Sequence, residues 1–388
     1  MKHFIGLLLF LFLFEHDVRS QTATIPFKIV KDHIYIPLKD KSGTQRNFIF
    51  DTGAESTVLS IKVAKELELE KDGEIQVTGA GASKSLEYVK NQSLNITDEI
   101  PLKKVTFILT DLSKFSWNLD GIIGNDILKK FIVKIDYTNQ KLVLYSKMKE
   151  IDIKDYEAIP FHFGNSTRIP QFNVVLTLQN DERIEGNILF DTGAGLTMSI
   201  GKPHATEHNL MNRVGNTLST SGLGLNEESS HKLARIKSLR IGKYSLGSMI
   251  VEISEANSGV FSKGDFMGLM GNVISSRFDV VINYKQKKIY LKPNSSFNDP
   301  FEAPLSGFKL KEKDQGVITV RSIIKESQAY ALGLRKGDKI LSVNGNETSD
   351  LEIYENDLKK KGEFASITFI DQESNEKKEI RIKLEELL

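Results

Sequence analysis

Two stretches of the chain run from an apolar segment into a carboxylate followed by Thr, Gly and Ala. They are Phe48-Ile-Phe-Asp51-Thr52-Gly53-Ala54 and Ile188-Leu-Phe-Asp191-Thr192-Gly193-Ala194. A carboxylate at the end of a buried strand is costly unless its charge is shared, paired or hydrogen-bonded. The Gly lets the backbone turn tightly and bring its N–H to that carboxylate. The Thr supplies a hydroxyl that can tie one loop to another. Two such carboxylates placed face to face cannot both ionise, so they share one proton. The ionised member can take a proton from a bound water while the protonated member protonates a peptide carbonyl. That chemistry is peptide hydrolysis with no metal, no cofactor and no covalent intermediate. Asp51 and Asp191 are therefore the candidate catalytic pair, with Thr52, Gly53, Ala54, Thr192, Gly193 and Ala194 as supporting loop residues.

The elements that position these residues come twice. The first landmark recurs at an offset of 140, from Asp51 to Asp191. A second landmark, Ile122-Ile123-Gly124-Asn125, recurs as Leu269-Met270-Gly271-Asn272 at an offset of 147. The following residues keep that register: Phe131, Ile135, Tyr137, Leu142 and Leu144 meet Phe278, Ile282, Tyr284, Ile289 and Leu291. Two landmarks in one order with an in-register tail make residues from about 25 to 293 two copies of one unit. Each copy reads as mostly β. Ile34–Leu38 and Val105–Leu109 alternate with period two, and Phe131–Asp136 and Lys141–Tyr145 flank a hairpin turn at Tyr137–Gln140. Ile61–Leu69 has a helical pattern with Ser60 as its cap.

This constellation resembles the aspartic proteases, the retropepsin branch in particular, and the two hydrophobic-hydrophobic-Gly landmarks match that family's second signature. The resemblance implies two tandem retropepsin-like β-barrel lobes fused as a pseudo-twofold bilobal protease. It places the catalytic acids at Asp51 and Asp191 and flaps between the landmarks, at Gly79 and Gly81 and at Gly222 and Gly224. Retropepsins also pair an acid four residues after the catalytic Asp with an Arg after the second-signature Gly. Here Glu55 faces Asn125 in sequence, and copy two has Gly195 and Asn272, so that ion pair cannot form.

Beyond Pro300 the pattern changes. Ser327–Leu332 and Asp350–Lys361 read as helices among short strands, the second with Leu351, Tyr354 and Leu358 on one face. The run from Tyr330 through Gly333-Leu-Arg-Lys-Gly337-Asp338 to Asn344-Gly345 resembles a PDZ domain of the circularly permuted bacterial type. By that resemblance Ser306, Gly307 and Phe308 form a loop whose N–H groups receive a peptide C-terminus, and the next strand accepts the peptide as an added strand. The expected fold is thus mainly β with a C-terminal α+β domain. Its expected divisions are 1–20 leader, 21–149 and 150–293 lobes, 294–304 linker and 305–388 PDZ domain.

Composition narrows the function classes. The 388 residues carry 52 Lys+Arg against 51 Asp+Glu, a net charge of +1, which leaves no bulk electrostatic footprint for nucleic acid. Cysteine is absent, which excludes thiol catalysis, disulfides and zinc–thiolate sites. His204 and His208 have the i, i+4 spacing of two ligands on one helical face, but a solvated surface is the expected setting and no metal site is assigned. Lys2 and His3 precede the apolar run Phe4–Phe14, too short to span a membrane as a helix and suited to a signal peptide cut before Gln21. Export, to a bacterial periplasm or the extracellular space, is the expectation, with no integral membrane segment left after processing. The expected partners are protein or peptide substrates and C-terminal peptide ligands of the PDZ domain. The competing reading is a peptide clamp or envelope scaffold without catalysis, for which paired acids would be unnecessary.

Overall fold

Period-two alternation dominates the chain, and 48% of the described residues form strands against 12% in helices. The computed structural model describes residues 23–388 apart from 80–81, 114, 116–117, 224–227 and 314–315. The expected leader over 1–20 lies outside the described residues, as do Gly81 and Gly224.

The two copies meet in a shared six-stranded sheet. Its order is Ala23–Pro26, Lys141–Tyr145, Ile132–Asp136, Phe278–Asn283, Lys288–Pro293 and Glu157–Pro160, three strands from each copy. At the centre Lys134 pairs with Val281, its own counterpart in the repeat, while Val133 pairs with Ile282 and Ile135 with Val280. The pseudo-twofold axis therefore passes through the Lys134–Val281 pair. Val133, Ile135, Leu142 and Leu144 and their mates Val280, Ile282, Ile289 and Leu291 are buried there. Each such side chain withdrawn from water contributes about 1.5–3 kcal/mol, which makes the repeat junction a core.

Within each lobe the strand that ends in Asp lies between an antiparallel and a parallel neighbour. Gln45–Phe50 pairs with His33–Lys39 and, in parallel, with Gly121–Ile123. Arg183–Phe190 pairs with Pro170–Thr177 and, in parallel, with Gly268–Met270. This is why the second landmark travels with the first: it is the strand alongside.

Local signals fix some element ends and miss others. Ser60 caps the helix Ile61–Glu66 by accepting from Lys62 N–H at 3.2 Å. The helix stops short of the expected Leu69 because Glu68 turns to φ 51°, a left-handed conformation that a helix cannot continue through. Likewise the helix Leu351–Asp357, capped by Asp350, ends before Lys361.

The C-terminal domain is a five-stranded sheet in the order Phe308–Lys313, Val317–Ile323, Lys339–Val343, Phe364–Ile370 and Lys377–Lys383. Val320, Ala329, Leu334, Tyr354 and Phe369 form its own core. The segment 294–304 was expected to be a free linker, and it is packed instead. Phe297 sits edge-on to Phe278 and Tyr244 at 5.3 and 5.9 Å. Arg277 donates to the carbonyls of Ser296, Asp299 and Pro300 and lies 4.5 Å over the Phe301 ring.

Candidate active site

Asp51 and Asp191 stand at the ends of their strands, each held by its parallel neighbour. Asp51 N–H donates to Ile123 O at 2.9 Å and Asp191 N–H to Met270 O at 3.0 Å. The glycines of the second landmark permit that approach. A Cβ on Gly124 would lie 1.7 Å from Asp51 O, and one on Gly271 would lie 2.2 Å from Leu196 O.

The two loops interlock through their threonines, both buried. Thr52 N–H donates to Thr192 Oγ1 at 3.1 Å and Thr192 N–H to Thr52 Oγ1 at 3.0 Å. Each hydroxyl then donates across the axis, Thr52 to Phe190 O at 2.7 Å and Thr192 to Phe50 O at 3.0 Å. Four bonds thus fix the separation of the strand ends. Gly53 N–H donates to Asp51 Oδ1 at 2.6 Å and Gly193 N–H to Asp191 Oδ1 at 2.9 Å. Each Gly also faces the opposite acid: a Cβ on Gly193 would fall 2.1 Å from Asp51 Cγ, and one on Gly53 would fall 2.8 Å from Asp191 Cγ.

This geometry brings the two expected acids into hydrogen-bond contact, and their electrostatics diverge. Burial pushes both carboxyls up. Asp191 rises well above the ordinary carboxylate range because the Asp51 charge adds to that burial. Asp51 is restrained by the Asp191 hydrogen bond and by the N–H groups of Gly53, Ala54 and Gly193. Two carboxyls this close and this buried favour sharing one proton, which belongs to the pair as a unit.

Several residues around the site make contacts that the sequence did not announce. Glu55, deprived of an Arg, accepts from Thr167 Oγ1 at 2.6 Å and from Arg168 N–H at 3.0 Å, so it fastens a loop of the second lobe instead. Tyr137 Oη donates to Asn272 Oδ1 at 2.5 Å, and Asn272 Nδ2 donates to Asp32 O at 2.8 Å. The repeat-related atoms Tyr284 Oη and Asn125 Oδ1 are buried without a hydrogen-bond partner. The 147-residue offset that relates Tyr137 to Tyr284 also relates Asn125 to Asn272, and that coincidence was the available signal. His33 packs beside the second loop, its Cε1 2.6 Å from where a Gly195 Cβ would be, and burial lowers its pKa.

The candidate flaps are hairpins. Gly79 follows the strand Gly73–Thr78 and its carbonyl accepts from Val260 N–H at 3.0 Å, so the first hairpin reaches the second lobe. Gly222 lies within Thr217–Leu223, opposite Ser229 on Glu228–Ile236. His204 is not the solvated side chain expected. Its Nε2 is buried without a partner, its ring lies 4.3 Å from that of His208, and burial lowers its pKa. Among the described residues, His204, Glu207 and His208 are the group with donor atoms close enough to hold a cation, within 4.8 Å of one another.

In the C-terminal domain, Gly307 has φ +80° and a Cβ there would lie 2.2 Å from Ser327 Cβ. Its carbonyl accepts from Ile324 N–H at 2.7 Å, and the flanking Ser306 hydroxyl donates to Phe308 O at 3.1 Å. The loop is closed by its own contacts as well as positioned at the head of the strand Phe308–Lys313.

Residues 39–127 match the family model described as aspartyl protease, and residues 298–368 match that for the PDZ domain. Among solved structures, the crystal structure of aspartic proteinase from Irpex lacteus is similar at 12% identity, covering 72% of this chain and 99% of that chain with a TM-score of 0.49. No curated protein matches the chain. The chain thus carries an aspartyl-protease-type unit followed by a PDZ domain.

Proposed function

We propose that the protein is an aspartic endopeptidase. What carries this reading is the pair of buried carboxyls in mutual contact across the Thr52–Thr192 interlock, where like charges favour one shared proton. A water between them gives a proton to Asp51 and attacks the peptide carbonyl carbon, while Asp191 protonates the carbonyl oxygen. Collapse of the tetrahedral gem-diol returns a proton to Asp191. The departing nitrogen takes the proton held on Asp51, and both acids regain their starting forms. The hairpins at Gly79 and Gly222 serve as flaps over an extended substrate, and the PDZ domain recruits or gates protein substrates through their C-termini. By its first twenty residues the protein is exported, to a bacterial periplasm or beyond the cell.

The test is incubation of the processed chain with a denatured protein mixture, with and without pepstatin. Pepstatin-sensitive cleavage that disappears in Asp51→Asn is the expected result. No cleavage by wild type across the acid-to-neutral range, with the fold intact, would favour a non-catalytic peptide clamp.

A further inference from the structure

The turn at Lys31 and Asp32 lies between the acid pair and the PDZ domain. Both residues have positive φ, 50° and 61°, the conformation of a type I′ hairpin turn. On one side the turn supports the second site loop. Asp32 O accepts from Asn272 Nδ2 at 2.8 Å, and a Cβ on Gly195 would lie 2.7 Å from Lys31 O. On the other side it enters the PDZ domain. Lys31 Nζ forms an ion pair with Glu355, and the Asp32 carboxylate sits in the fields of Glu302, Lys359 and Lys309.

Two of those partners, Glu355 and Lys309, lie on neighbouring elements. Glu355 lies on the helix Leu351–Asp357, and the i, i+4, i+7 spacing puts Leu351, Glu355 and Leu358 on one face. That helix packs beside the strand Phe308–Lys313, which carries Lys309. The strand closes its sheet, and among the described residues no other strand pairs with its outer edge. An open edge beside a helix is where an extended peptide can add as a strand.

We propose that the Lys31–Asp32 turn is a resident occupant of the PDZ groove, displaced by a peptide with a free C-terminal carboxylate, and that its displacement loosens the Asp191 loop. The inference rests on reading the PDZ domain as a peptide binder. The peptide that fits brings a Lys or Arg to Glu355 and a carboxylate toward Lys309 and Lys359, replacing the two charges of the turn. The signal reaches the acid pair through Asn272 and Gly195, which touch the turn directly.

The experiment uses the full chain. Lys31→Asn with Asp32→Gly removes both charges and keeps the turn, because Asn-Gly is a favoured pair for type I′. The probe is a fluorescein-labelled decapeptide pool with a fixed Lys near the end, a terminal Val and a free carboxylate. The same pool amidated is the control. Releasing one half-buried ion pair should tighten Kd for the acid pool about fivefold in the variant. In wild type, adding the acid pool should raise deuterium uptake over residues 28–36 and 191–196, a measurement that needs no variant. Equal Kd in both proteins with unchanged uptake would overturn the proposal and leave the PDZ reading standing. Failure of the acid pool to bind either protein, or equal binding of the amidated pool, would overturn the PDZ reading and this proposal with it.

Discussion

Asp51 and Asp191 occupy equivalent places in the repeat and carry different charge states, because a buried pair of acids has room for one negative charge. Replacing either by Asn should lower kcat at least about a hundredfold, the scale of lost general acid–base catalysis, with the circular dichroism spectrum unchanged. The pH profile should be bell-shaped and its two limbs belong to the pair as a unit. Asp191 lies well above the usual range, so activity should persist above about pH 5, where an ordinary carboxyl near 4 has lost its proton. A kcat/KM profile collapsing below that pH would contradict the assignment. The same shift has a stability consequence of opposite use. Asp191 binds its proton more tightly in the folded state than in the unfolded one, so folding stability falls as pH rises from the unfolded pKa of about 3.9 through the raised native value. Asp191→Asn removes that penalty. Its Tm should exceed the wild-type value by a few degrees at pH 7 and approach it at pH 3, read by calorimetry. The acids themselves were legible in the sequence because their run repeats. The partners that Asn272 and Glu55 take up were not, because they lie on other segments: Asp32 and Tyr137 for the first, Thr167 for the second.

At the scale of elements, the site depends on two strand ends meeting with no latitude, and the threonine interlock supplies that constraint. Thr192→Val would leave Thr52 N–H without its acceptor and Phe50 O without its donor, in a place closed to water. Two buried groups left unpaired should cost about 2–4 kcal/mol, seen as a lower urea midpoint, and activity should fall further than stability. Thr192→Ser keeps the hydroxyl and should restore most of both. Equal behaviour of the Val and Ser variants would mean that the methyl packing matters and the bonds do not. The sequence revealed the strands of both copies through period-two alternation, and the repeat offset correctly paired Ile135 with Ile282 and Leu144 with Leu291. It did not reveal that Ile132–Asp136 and Phe278–Asn283 lie side by side, since strand adjacency between copies leaves no mark on either strand alone. The helix after Ser60 was placed correctly at its start, where a cap residue announces it. Its end was misplaced because Glu68 turns left-handed without a Gly or Pro to signal it.

At the scale of the whole molecule, the C-terminal domain is built onto the second lobe, contrary to the independence its Pro-ended connection suggested. Glu326 accepts from Ser219 N–H at 2.9 Å and from Ser219 Oγ at 2.8 Å, on the first strand of the second candidate flap. Lys232, on the returning strand, donates to the same hydroxyl at 2.8 Å. Beneath these bonds Ile324 of the PDZ domain is buried with Leu218 and Leu233 of the hairpin, and Arg235 Nε donates to the main-chain oxygen of Leu388 at 3.0 Å. A carboxylate-loop variant such as Gly307→Asp is therefore a poor probe of recruitment. Its side chain would collide with Ser327 at a positive φ and disturb Ile324, whose N–H donates to the Gly307 carbonyl. Glu326→Ala is the cleaner change, because it removes a surface acceptor and leaves both cores intact. Without it the hairpin keeps its strand pairing and loses its anchor to the PDZ domain. Deuterium uptake over residues 217–223 should rise severalfold, the global Tm should drop by no more than a few degrees, and KM for a long peptide should change more than kcat. If the flap's position is set by the PDZ domain, Glu326→Gln should fall between wild type and Ala, since its amide oxygen can still accept one of the two bonds from Ser219. Unchanged uptake in both variants would show that the apolar contact of Ile324 with Leu218 and Leu233 holds the hairpin by itself, and the polar anchor would then have no part in placing the flap.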